Sequence, residues 1–273
     1  MSLISEKKGS HLYLTLNRPQ RANSLDPPTL LDLRQTLLEA QFNEEIKVII
    51  LTSMGNRDFT TGIDISSVIT FSADGIRNLA NVAGDISTLL YYGKPNVIAI
   101  NGRAMGMGVV FPVAGDYRLI VEGSQLRMPE VNIPAFPGAS CIALMTRVCG
   151  IAWTRRILML GLPFDSTDAI NARIADEIVP SHKILINRAR EVAEVLADKD
   201  PVIIKAIKFA TNNGLDLTYM DVLKLESKLA NFFEWEDTED HFSALAASFG
   251  LQYQLTGDPE KLRTDYEKTQ AES

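Results

Sequence analysis

Cysteine and histidine are scarce in this chain of 273 residues, which has two cysteines and three histidines. Cys141 and Cys149 lie eight residues apart in apolar surroundings, with no secretory pattern before them. We therefore expect reduced core thiols rather than a disulfide framework. The histidines, His11, His182 and His241, fall on different predicted elements and lack the spacing of metal ligands. The sequence therefore predicts no metal site.

Positive charge is also in deficit. Lysine and arginine number 27 against 34 acidic residues, which gives a net charge of −7 and a pI of about 5.1. This balance argues against a broad basic surface for nucleic acid, although a local basic pocket for an anionic ligand is compatible with it. The longest apolar runs are broken by glycine, proline or charge well short of a membrane span. The first eight residues show no targeting pattern, so we expect a cytoplasmic protein with no membrane and no nucleic-acid partner.

Several common catalytic motifs are missing as well. The chain has no Walker-type loop, no Gly-x-Gly-x-x-Gly after a strand and no Gly-x-Ser-x-Gly elbow. These absences argue against a P-loop nucleotide site, a dinucleotide site and an ordinary serine hydrolase. Any chemistry must come from carboxylates and backbone groups.

The chain does contain strands and helices in alternation, which is typical of an α/β fold. Strands are predicted at His11 to Leu16, Lys47 to Thr52, Asn96 to Asn101 and Tyr117 to Val121. A helix is predicted after Asp26 as its N-cap, with Pro27 in the first turn. Beyond residue 150 the helical period dominates, with helices near 150–161, 166–175, 183–198, 202–211, 216–234 and 238–248 and an exposed final helix after Gly257. We divide the chain into a core of residues 1–200 and a helical region of residues 201–273.

Two glycine-containing loops follow predicted strands. Arg57 to Asp64 comes after the second strand, and Asn101 to Gly108 after the third. Glycine lets a backbone approach a ligand closely, and the carboxyl ends of strands are the usual place for a ligand crevice. A helix is predicted to continue from Val109 to Ala114, and a helix N-terminus offers unpaired N–H groups. Taken singly, each loop is equally compatible with a packing turn.

In order along the chain, these segments resemble the crotonase, or enoyl-CoA hydratase/isomerase, superfamily. Asn17-Arg18-Pro19 with Asn23-Ser24-Leu25 is similar to its NRP…NAL signature, and Phe59 to Asp64 to its F-x-A-G-x-D loop. Asn101 to Gly108 is similar to its N-G-x-A-x-G-G-G turn, and Pro129-Glu130-Val131 with Pro137-Gly138 to its P-E-x…P-G segment. The likeness covers roughly residues 10 to 250.

The resemblance implies a crotonase-like ββα spiral that binds acyl-CoA, followed by a helical region that forms a homotrimer or a dimer of trimers. It implies an oxyanion hole formed by the N–H groups of Thr61 and Met107, with Glu130 as the catalytic carboxylate. Coenzyme A would be part of the substrate, and no separate cofactor is implied. The substrate-binding positions that it implies are Arg18, Arg21, Ala22, Thr61, Gly62, Ile63, Asp64, Val110 and Gly138.

This chemistry explains why such residues are needed. Removal of a proton α to a thioester carbonyl makes an enolate, whose charge collects on the carbonyl oxygen. One fixed N–H donor at that oxygen is worth roughly 10²–10³ in rate. A positioned carboxylate that moves the proton adds roughly 10²–10⁴. The apolar neighbours of Glu130, which include Met128 and Val131, suggest a partly desolvated carboxyl with a raised pKa.

Departures from the family pattern reduce the number of candidate reactions. Val110 stands where hydratases of the family carry a second glutamate, and valine cannot hold a water. A single glutamate resembles that of the Δ3,Δ2-enoyl-CoA isomerases, so isomerisation is favoured over hydration. Gly138 stands where dienoyl-CoA isomerases have aspartate, which argues against that branch. Residues 246–248 lack the basic residues common in the family, and Lys261 or Arg263 are candidates to replace them.

Two alternatives stay open on the sequence alone. One is a hydratase that uses Glu130 alone or with an unrecognised partner. The other is a thioester-binding paralogue without catalysis, which Val110 and Met107 keep in consideration.

Overall fold

A computed structural model describes residues 1–133, 135–230, 238–251 and 255–272. The larger of its two sheets has six strands in the order β1-β2-β3-β5-β7-β10. Only β1 and β2 pair antiparallel, and the other neighbours are parallel. The strands of this sheet are β1 (Leu3–Lys8), β2 (His11–Leu16), β3 (Val48–Ser53), β5 (Asn96–Ile100), β7 (Tyr117–Val121) and β10 (Glu177–Val179).

A second, smaller sheet has four short strands in the order β4-β6-β8-β9. Its first three strands run parallel, and β8 and β9 pair antiparallel. The strands are β4 (Asp58–Thr60), β6 (Arg103–Met105), β8 (Gln125–Arg127) and β9 (Phe164–Asp165). Each has two or three residues, which is too short for a period-2 pattern to reveal it in the sequence.

Ten α-helices complete the described structure. They are α1 (Pro27–Phe42), α2 (Ala73–Tyr92), α3 (Met107–Ala114), α4 (Cys141–Leu160), α5 (Ser166–Asn171), α6 (His182–Ala197), α7 (Pro201–Gly214), α8 (Tyr219–Leu229), α9 (Thr238–Ser248) and α10 (Pro259–Glu272). None of them, within the residues that were searched, is both long and apolar enough to cross a membrane.

The two sheets are linked by a repeated unit. β3 and β4 lead into α2, β5 and β6 into α3, and β7 and β8 into α4. Each unit places one strand in the large sheet and one in the small sheet before its helix begins. The predicted ββα spiral is therefore confirmed.

The predicted elements of the first half are confirmed within a residue or two. Asp26 caps α1 by accepting the N–H of Thr29 at 3.0 Å, and Pro27 is its first residue. The predicted helix at 150–161 is wrong in its start, because α4 begins at Cys141 and bends at Gly150, where φ is +73°. Strand β1 was not predicted.

The number of helices in the second half agrees with the prediction, but several of their lengths do not. α5 ends at Asn171 rather than 175, and α8 covers only part of the predicted 216–234, whose residues 231–234 lie outside the described structure. The final helix is not fully exposed, since Leu262 is completely buried where α10 packs on α1 and α2. The helices after residue 200 also contact the core directly, and the Lys208 ammonium donates to the Leu90 carbonyl at 2.8 Å and the Asp116 carboxylate at 2.6 Å.

Candidate active site

Three loops meet at one edge of the small sheet. β4, β6 and β8 are neighbouring parallel strands, with Ala104 paired both to Thr60 and to Leu126. The segments that leave their carboxyl ends therefore emerge side by side. They carry Gly62 and Ile63, then Gly106 and Met107, then Glu130.

The first of these segments is hydrogen-bonded to the loop before α1. The N–H of Thr61 donates to the Ala22 carbonyl at 3.2 Å, Leu25 N–H donates to the Gly62 carbonyl at 2.8 Å, and Asp64 N–H donates to the Leu25 carbonyl at 2.9 Å. The N–H of Gly62 donates to the Thr60 hydroxyl at 3.1 Å.

This pattern corrects the predicted donor. Thr61 cannot offer its N–H to a substrate while Ala22 accepts it. Among the described residues, the N–H of Ile63 has no acceptor. Leu25 and Ile63 form an isolated parallel bridge, in which Leu25 bonds to the Gly62 carbonyl and to the Asp64 N–H on either side of Ile63. In a parallel bridge of this kind the N–H of the central residue points away from its partner strand. Within the described part of this loop, Ile63 therefore has the available N–H.

The second loop presents the amide of Met107. Gly106 is the N-cap of α3 with φ of +51°, and Met107 is the first helical residue. An N–H at that position has no acceptor inside its own helix and lies at the positive end of the helix dipole. A Cβ at Gly62 would be 3.2 Å from the Met107 nitrogen and 2.8 Å from the Met105 carbonyl oxygen, so the two donor loops are in direct contact.

The carboxylate of Glu130 adjoins this pair of loops. A Cβ at Gly106 would lie 3.1 Å from its Oε1. Its Oε2 is buried without a hydrogen-bond partner among the described residues. Burial raises the pKa of Glu130 above its ordinary 4.5, and a hydrogen bond from its own backbone opposes that effect only in part. A desolvated, unpaired carboxylate is a strong base for a nearby C–H proton.

Cys141 is the other titratable group near this carboxylate. Burial, the charge of Glu130 and the neighbouring Cys149 together raise the pKa of Cys141 to about 12. Its thiol therefore stays protonated at neutral pH and does not act as a nucleophile. Both cysteines are buried and free, as predicted.

Val110 and Gly138 differ in their surroundings. Val110 lies in the first turn of α3, three residues after Met107, and its side chain is only 1% exposed within the core. It is therefore a core side chain, and its predicted contact with the substrate stays a prediction. Gly138 is exposed in the turn before α4, where a Cβ would be 3.4 Å from the Cβ of Ala80.

A cavity of about 370 Å³ extends from the first donor loop towards the C-terminal helix. Arg21 is exposed at its rim. Arg18 lines it too, and its predicted contact with a ligand stays a prediction, although protein groups already engage this guanidinium. Its Nη2 lies 3.2 Å from Asp26 and 3.1 Å from Asp64, and its Nη1 donates to the Ser24 carbonyl at 2.7 Å. Ala22 contributes its carbonyl to Thr61 and does not line this cavity.

Helix α10 forms the far wall of this cavity with Tyr266, Thr269 and Gln270. The Thr70 hydroxyl donates to that of Thr269 at 3.0 Å. The two basic residues proposed from the sequence are paired within the helix, Lys261 with Asp265 at 2.9 Å and Arg263 with Glu260 at 3.1 Å.

A buried aspartate holds the start of α10 in place. Asp85 is 1% exposed and accepts the N–H groups of Thr256 at 2.7 Å and Gly257 at 3.1 Å, as well as Nε of Arg34 at 2.8 Å. No sequence motif marked this residue. An aspartate in the middle of an apolar helix is a signal that could have found it, because buried carboxylates are almost always paired.

Metal ligands do not cluster in the part of the chain that was searched, where no group of three or more His, Cys, Asp or Glu residues could hold an ion. The chemistry that the described geometry offers is therefore two backbone donors beside one desolvated carboxylate. Such a site stabilises negative charge on a carbonyl oxygen and moves a proton at a neighbouring carbon.

Comparisons with known proteins agree with this geometry. A family model described as enoyl-CoA hydratase/isomerase matches residues 6–246. The chain is 27% identical to a short-chain-enoyl-CoA hydratase of Clostridium acetobutylicum, over 90% of this chain and 94% of that protein. It is 28% identical to the (E)-benzylidenesuccinyl-CoA hydratase of Thauera aromatica, over 80% and 84%. The crystal structure of an enoyl-CoA hydratase from Bacillus anthracis has the same fold, with a TM-score of 0.82 at 23% identity over 94% of this chain and 100% of that one.

Proposed function

Since the chain belongs to the enoyl-CoA hydratase/isomerase family of the crotonase superfamily, we propose that it is a Δ3,Δ2-enoyl-CoA isomerase with Glu130 as its single proton shuttle. The observation that supports this most is the isolation of the Glu130 carboxylate. It adjoins Gly106 at the start of α3, and one turn further along that helix the side chain is the apolar Val110. One carboxylate suffices to move a proton between two carbons of the same substrate.

The proposed reaction begins with a 3-enoyl thioester whose carbonyl oxygen accepts hydrogen bonds from Ile63 and Met107. Glu130 removes a proton from C2, and the electron pair of that C–H bond becomes a dienolate with its charge on the carbonyl oxygen. The protonated Glu130 then gives the same proton to C4, and the double bond moves to C2. The route uses no metal and no cofactor beyond the coenzyme A of the substrate.

The raised pKa of Glu130 fits both halves of this cycle. A carboxylate with an ordinary pKa is a weaker base for a thioester α-proton. A buried one gains basicity, and its acid form is then a competent donor to C4. Each backbone donor would contribute roughly 10²–10³ in rate, because its position is fixed before the charge develops.

Hydration is the second candidate, and the names of relatives support it. The two relatives described above carry the name hydratase. Addition of water would require a group that holds and activates the water opposite Glu130. The side chain of Val110 has no polar atom that could hold this water, and we therefore favour isomerisation over hydration.

The deciding experiment offers the purified protein 3-enoyl-CoA and trans-2-enoyl-CoA in separate reactions. Isomerisation predicts that the first is converted to the conjugated thioester and that the second gains no water. Reactions in ²H₂O sharpen the result, because a shuttle transfers part of the original proton from C2 to C4 without exchange. Formation of a 3-hydroxyacyl-CoA with no double-bond shift would overturn the proposal. CoA binding without turnover of any acyl-CoA in a broad panel would favour a non-catalytic paralogue.

The cavity beside Arg21 and α10 is the proposed location of the coenzyme A moiety, because it opens one residue from the Ile63 donor. Arg21 is its exposed cation. Replacement of Arg21 by alanine should therefore raise KM for acyl-CoA while kcat changes little. An unchanged KM would indicate that the nucleotide of coenzyme A binds at another place.

We also propose a homotrimeric assembly through the helical region after residue 200. Large apolar side chains are exposed there, at Ile207, Leu215, Tyr219 and Met220. Ile207 lies on α7, and Tyr219 and Met220 lie on α8, which packs on α7. Exposed apolar surface on adjoining helices is typical of protein interfaces. Light scattering tests the assembly, and a monomeric mass would contradict it. The predicted cytoplasmic location is tested by cell fractionation.

A further inference from the structure

We propose that Arg18 is a positioning residue for the oxyanion hole, which fixes the Ile63 donor by joining Asp64 to the N-terminus of α1. The inference rests on the proposed function, because it concerns the same two donors. It gives a structural role in the reaction to an arginine that the sequence alone assigned to substrate contact.

The first observation is the number of contacts that Arg18 makes. One nitrogen, Nη2, reaches both Asp26 and Asp64, and Nη1 donates to the Ser24 carbonyl. The three charged side chains are 16%, 13% and 11% exposed, so water competes weakly for the guanidinium. A planar guanidinium with fixed donor directions holds two partners in one geometry, which a lysine cannot do.

The second observation is that Asp26 caps α1, a helix that is anchored in the core. Its other carboxylate oxygen accepts the N–H of Thr29 and so caps α1. α1 has 16 residues, with Leu30, Leu33 and Leu37 completely buried. Arg18 thus connects the donor loop to an element that is anchored in the core.

The third observation is that Asp64 is adjacent to the donor. Its N–H and the Gly62 carbonyl bind Leu25 on either side of Ile63, and its side chain accepts both Arg18 and the Ser24 hydroxyl, the latter at 3.2 Å. A shift of Asp64 would therefore turn the peptide that carries the Ile63 N–H. Burial raises the pKa of Asp64, but hydrogen bonds from Ser66 and Arg18 outweigh that effect and hold its pKa below the ordinary value.

Loss of Arg18 would harm catalysis in two ways. The Ile63 N–H would lose its fixed direction, and misplacement by about 1 Å can cost about 10²-fold in rate. Asp26 and Asp64 would also repel each other, and an uncompensated carboxylate would lie one residue from the developing oxyanion. Both effects weaken stabilisation of the transition state.

The test compares wild type with Arg18→Gln in steady-state kinetics and in complexes with cinnamoyl-CoA, which has no C4 proton to move. Donors at the thioester carbonyl polarise the conjugated chromophore and shift its absorption to longer wavelength. We expect Arg18→Gln to lower kcat by about 10- to 100-fold. A smaller rise in KM is expected, because Asp26 and Asp64 would face the proposed coenzyme A cavity without the Arg18 cation. The red shift of bound cinnamoyl-CoA should shrink, and Arg18→Lys should restore only part of it.

Arg118→Gln is the matched control. Arg118 is 13% exposed and forms a comparable two-point pair with Asp176, away from the donor loops. The Arg118→Gln variant should be less stable than wild type, and its kcat and its red shift should be unchanged. Ser24→Ala removes one hydrogen bond from Asp64 without burying a charge, and a smaller loss of kcat and red shift is expected, so the inference can be tested even if Arg18→Gln does not fold.

Each result has one meaning. A wild-type protein that binds cinnamoyl-CoA without a red shift overturns the proposed function itself. A wild-type shift that persists unchanged in Arg18→Gln and Ser24→Ala overturns the positioning role alone. A raised KM with unchanged kcat and shift would return Arg18 to the substrate-contacting residues.

Discussion

A side chain at Gly106 would begin 3.1 Å from Oε1 of Glu130, so this glycine leaves the carboxylate room beside the Met107 amide. Gly106 also has φ of +51°, a conformation that is costly for residues with a Cβ. The turn that starts α3 and the space for the base therefore depend on the same residue. This closeness places a proton-transfer group next to an N–H donor, which is the minimum that enolate chemistry requires.

Glu130→Gln should abolish isomerisation while leaving affinity for acyl-CoA nearly unchanged. Glutamine keeps the shape of the side chain but cannot accept the C2 proton, and loss of a positioned base costs roughly 10²–10⁴ in rate. Steady-state kinetics and equilibrium binding measure the two effects. Glu122→Gln is the control. Glu122 is exposed at the end of β7, so this substitution should leave activity and affinity unchanged. Retention of more than about a tenth of the activity by Glu130→Gln would assign the base elsewhere.

The same substitution should raise thermal stability at neutral pH. Because the pKa of Glu130 is higher in the folded protein than the ordinary 4.5, the folded state binds this proton more tightly than the unfolded state. The ionised carboxylate therefore opposes folding at any pH above its unfolded pKa. A neutral glutamine removes that opposition, and its Tm should exceed that of wild type at pH 7. The advantage should vanish in acid, where Glu130 is protonated in both states.

The pH profile of kcat/KM should show an acidic limb assigned to Glu130. Only the carboxylate form can take the C2 proton, so activity falls as pH drops through the folded-state pKa. Because burial raises this pKa, the midpoint should lie above 4.5. Progress curves with 3-enoyl-CoA in buffers of constant ionic strength give the profile. A limb centred at or below 4.5 would contradict the burial of the carboxyl group.

Gly62→Ala should separate catalysis from backbone strain. A Cβ at this position would be 2.8 Å from the Met105 carbonyl oxygen and 3.2 Å from the Met107 nitrogen, with φ at +80°. We expect both donor loops to move apart and kcat to fall roughly 10²–10³-fold, the effect of losing one donor. Gly123→Ala is a close control, since Gly123 has φ of +77° and nothing within 4 Å.

Gly123→Ala should lose about 1–2 kcal/mol in free energy of unfolding, the cost of a left-handed residue with a Cβ. Gly62→Ala should lose more, because its Cβ also meets the Met105 carbonyl oxygen and the Met107 nitrogen. Chemical denaturation gives this value for each. Only Gly62→Ala should lose activity and the red shift of bound cinnamoyl-CoA. Equal kinetic effects in the two variants would mean that the contact between the donor loops is unimportant.

The four central strands of the large sheet and the position of the carboxylate could be predicted from the sequence because their signals are local. Runs such as Asn96 to Ile100 are continuous apolar strands between turn residues, and both faces of that strand are buried. Glu130 follows a proline in a motif whose register fixed its place in the chain. Asp26 showed its capping role directly, since an aspartate before two prolines begins a helix.

The small sheet and the identity of the first donor could not be predicted in this way. Strands of three residues have no periodicity to detect. The choice between Thr61 and Ile63 depends on which N–H groups the α1 loop accepts, and Ala22 and Leu25 lie about 40 residues earlier. Asp64, which pairs with Arg18, is equally remote in the sequence. The charge of Arg18 is visible in the sequence, but its ion pair with Asp64 is not.

We expect loss of the buried Asp85 to affect the wall of the cavity rather than the chemistry. Asp85→Ala leaves Arg34 unpaired in the core and frees the N–H groups of Thr256 and Gly257. Breaking a buried pair costs about 3–5 kcal/mol, so a clear drop in Tm is expected. Because α10 begins directly after this contact, KM for acyl-CoA should rise more than kcat falls.

Asp74→Ala is the control for that variant. Asp74 lies on the same helix, but its pair with Arg77 is about 70% exposed, and pairs of this kind contribute little to stability. It should match wild type in Tm and in KM. Limited proteolysis adds a structural readout, since cleavage near residue 257 should accelerate only in Asp85→Ala. If KM is unchanged although cleavage accelerates, α10 closes the cavity without contacting the substrate, and the coenzyme A moiety must bind chiefly to the Arg21 side.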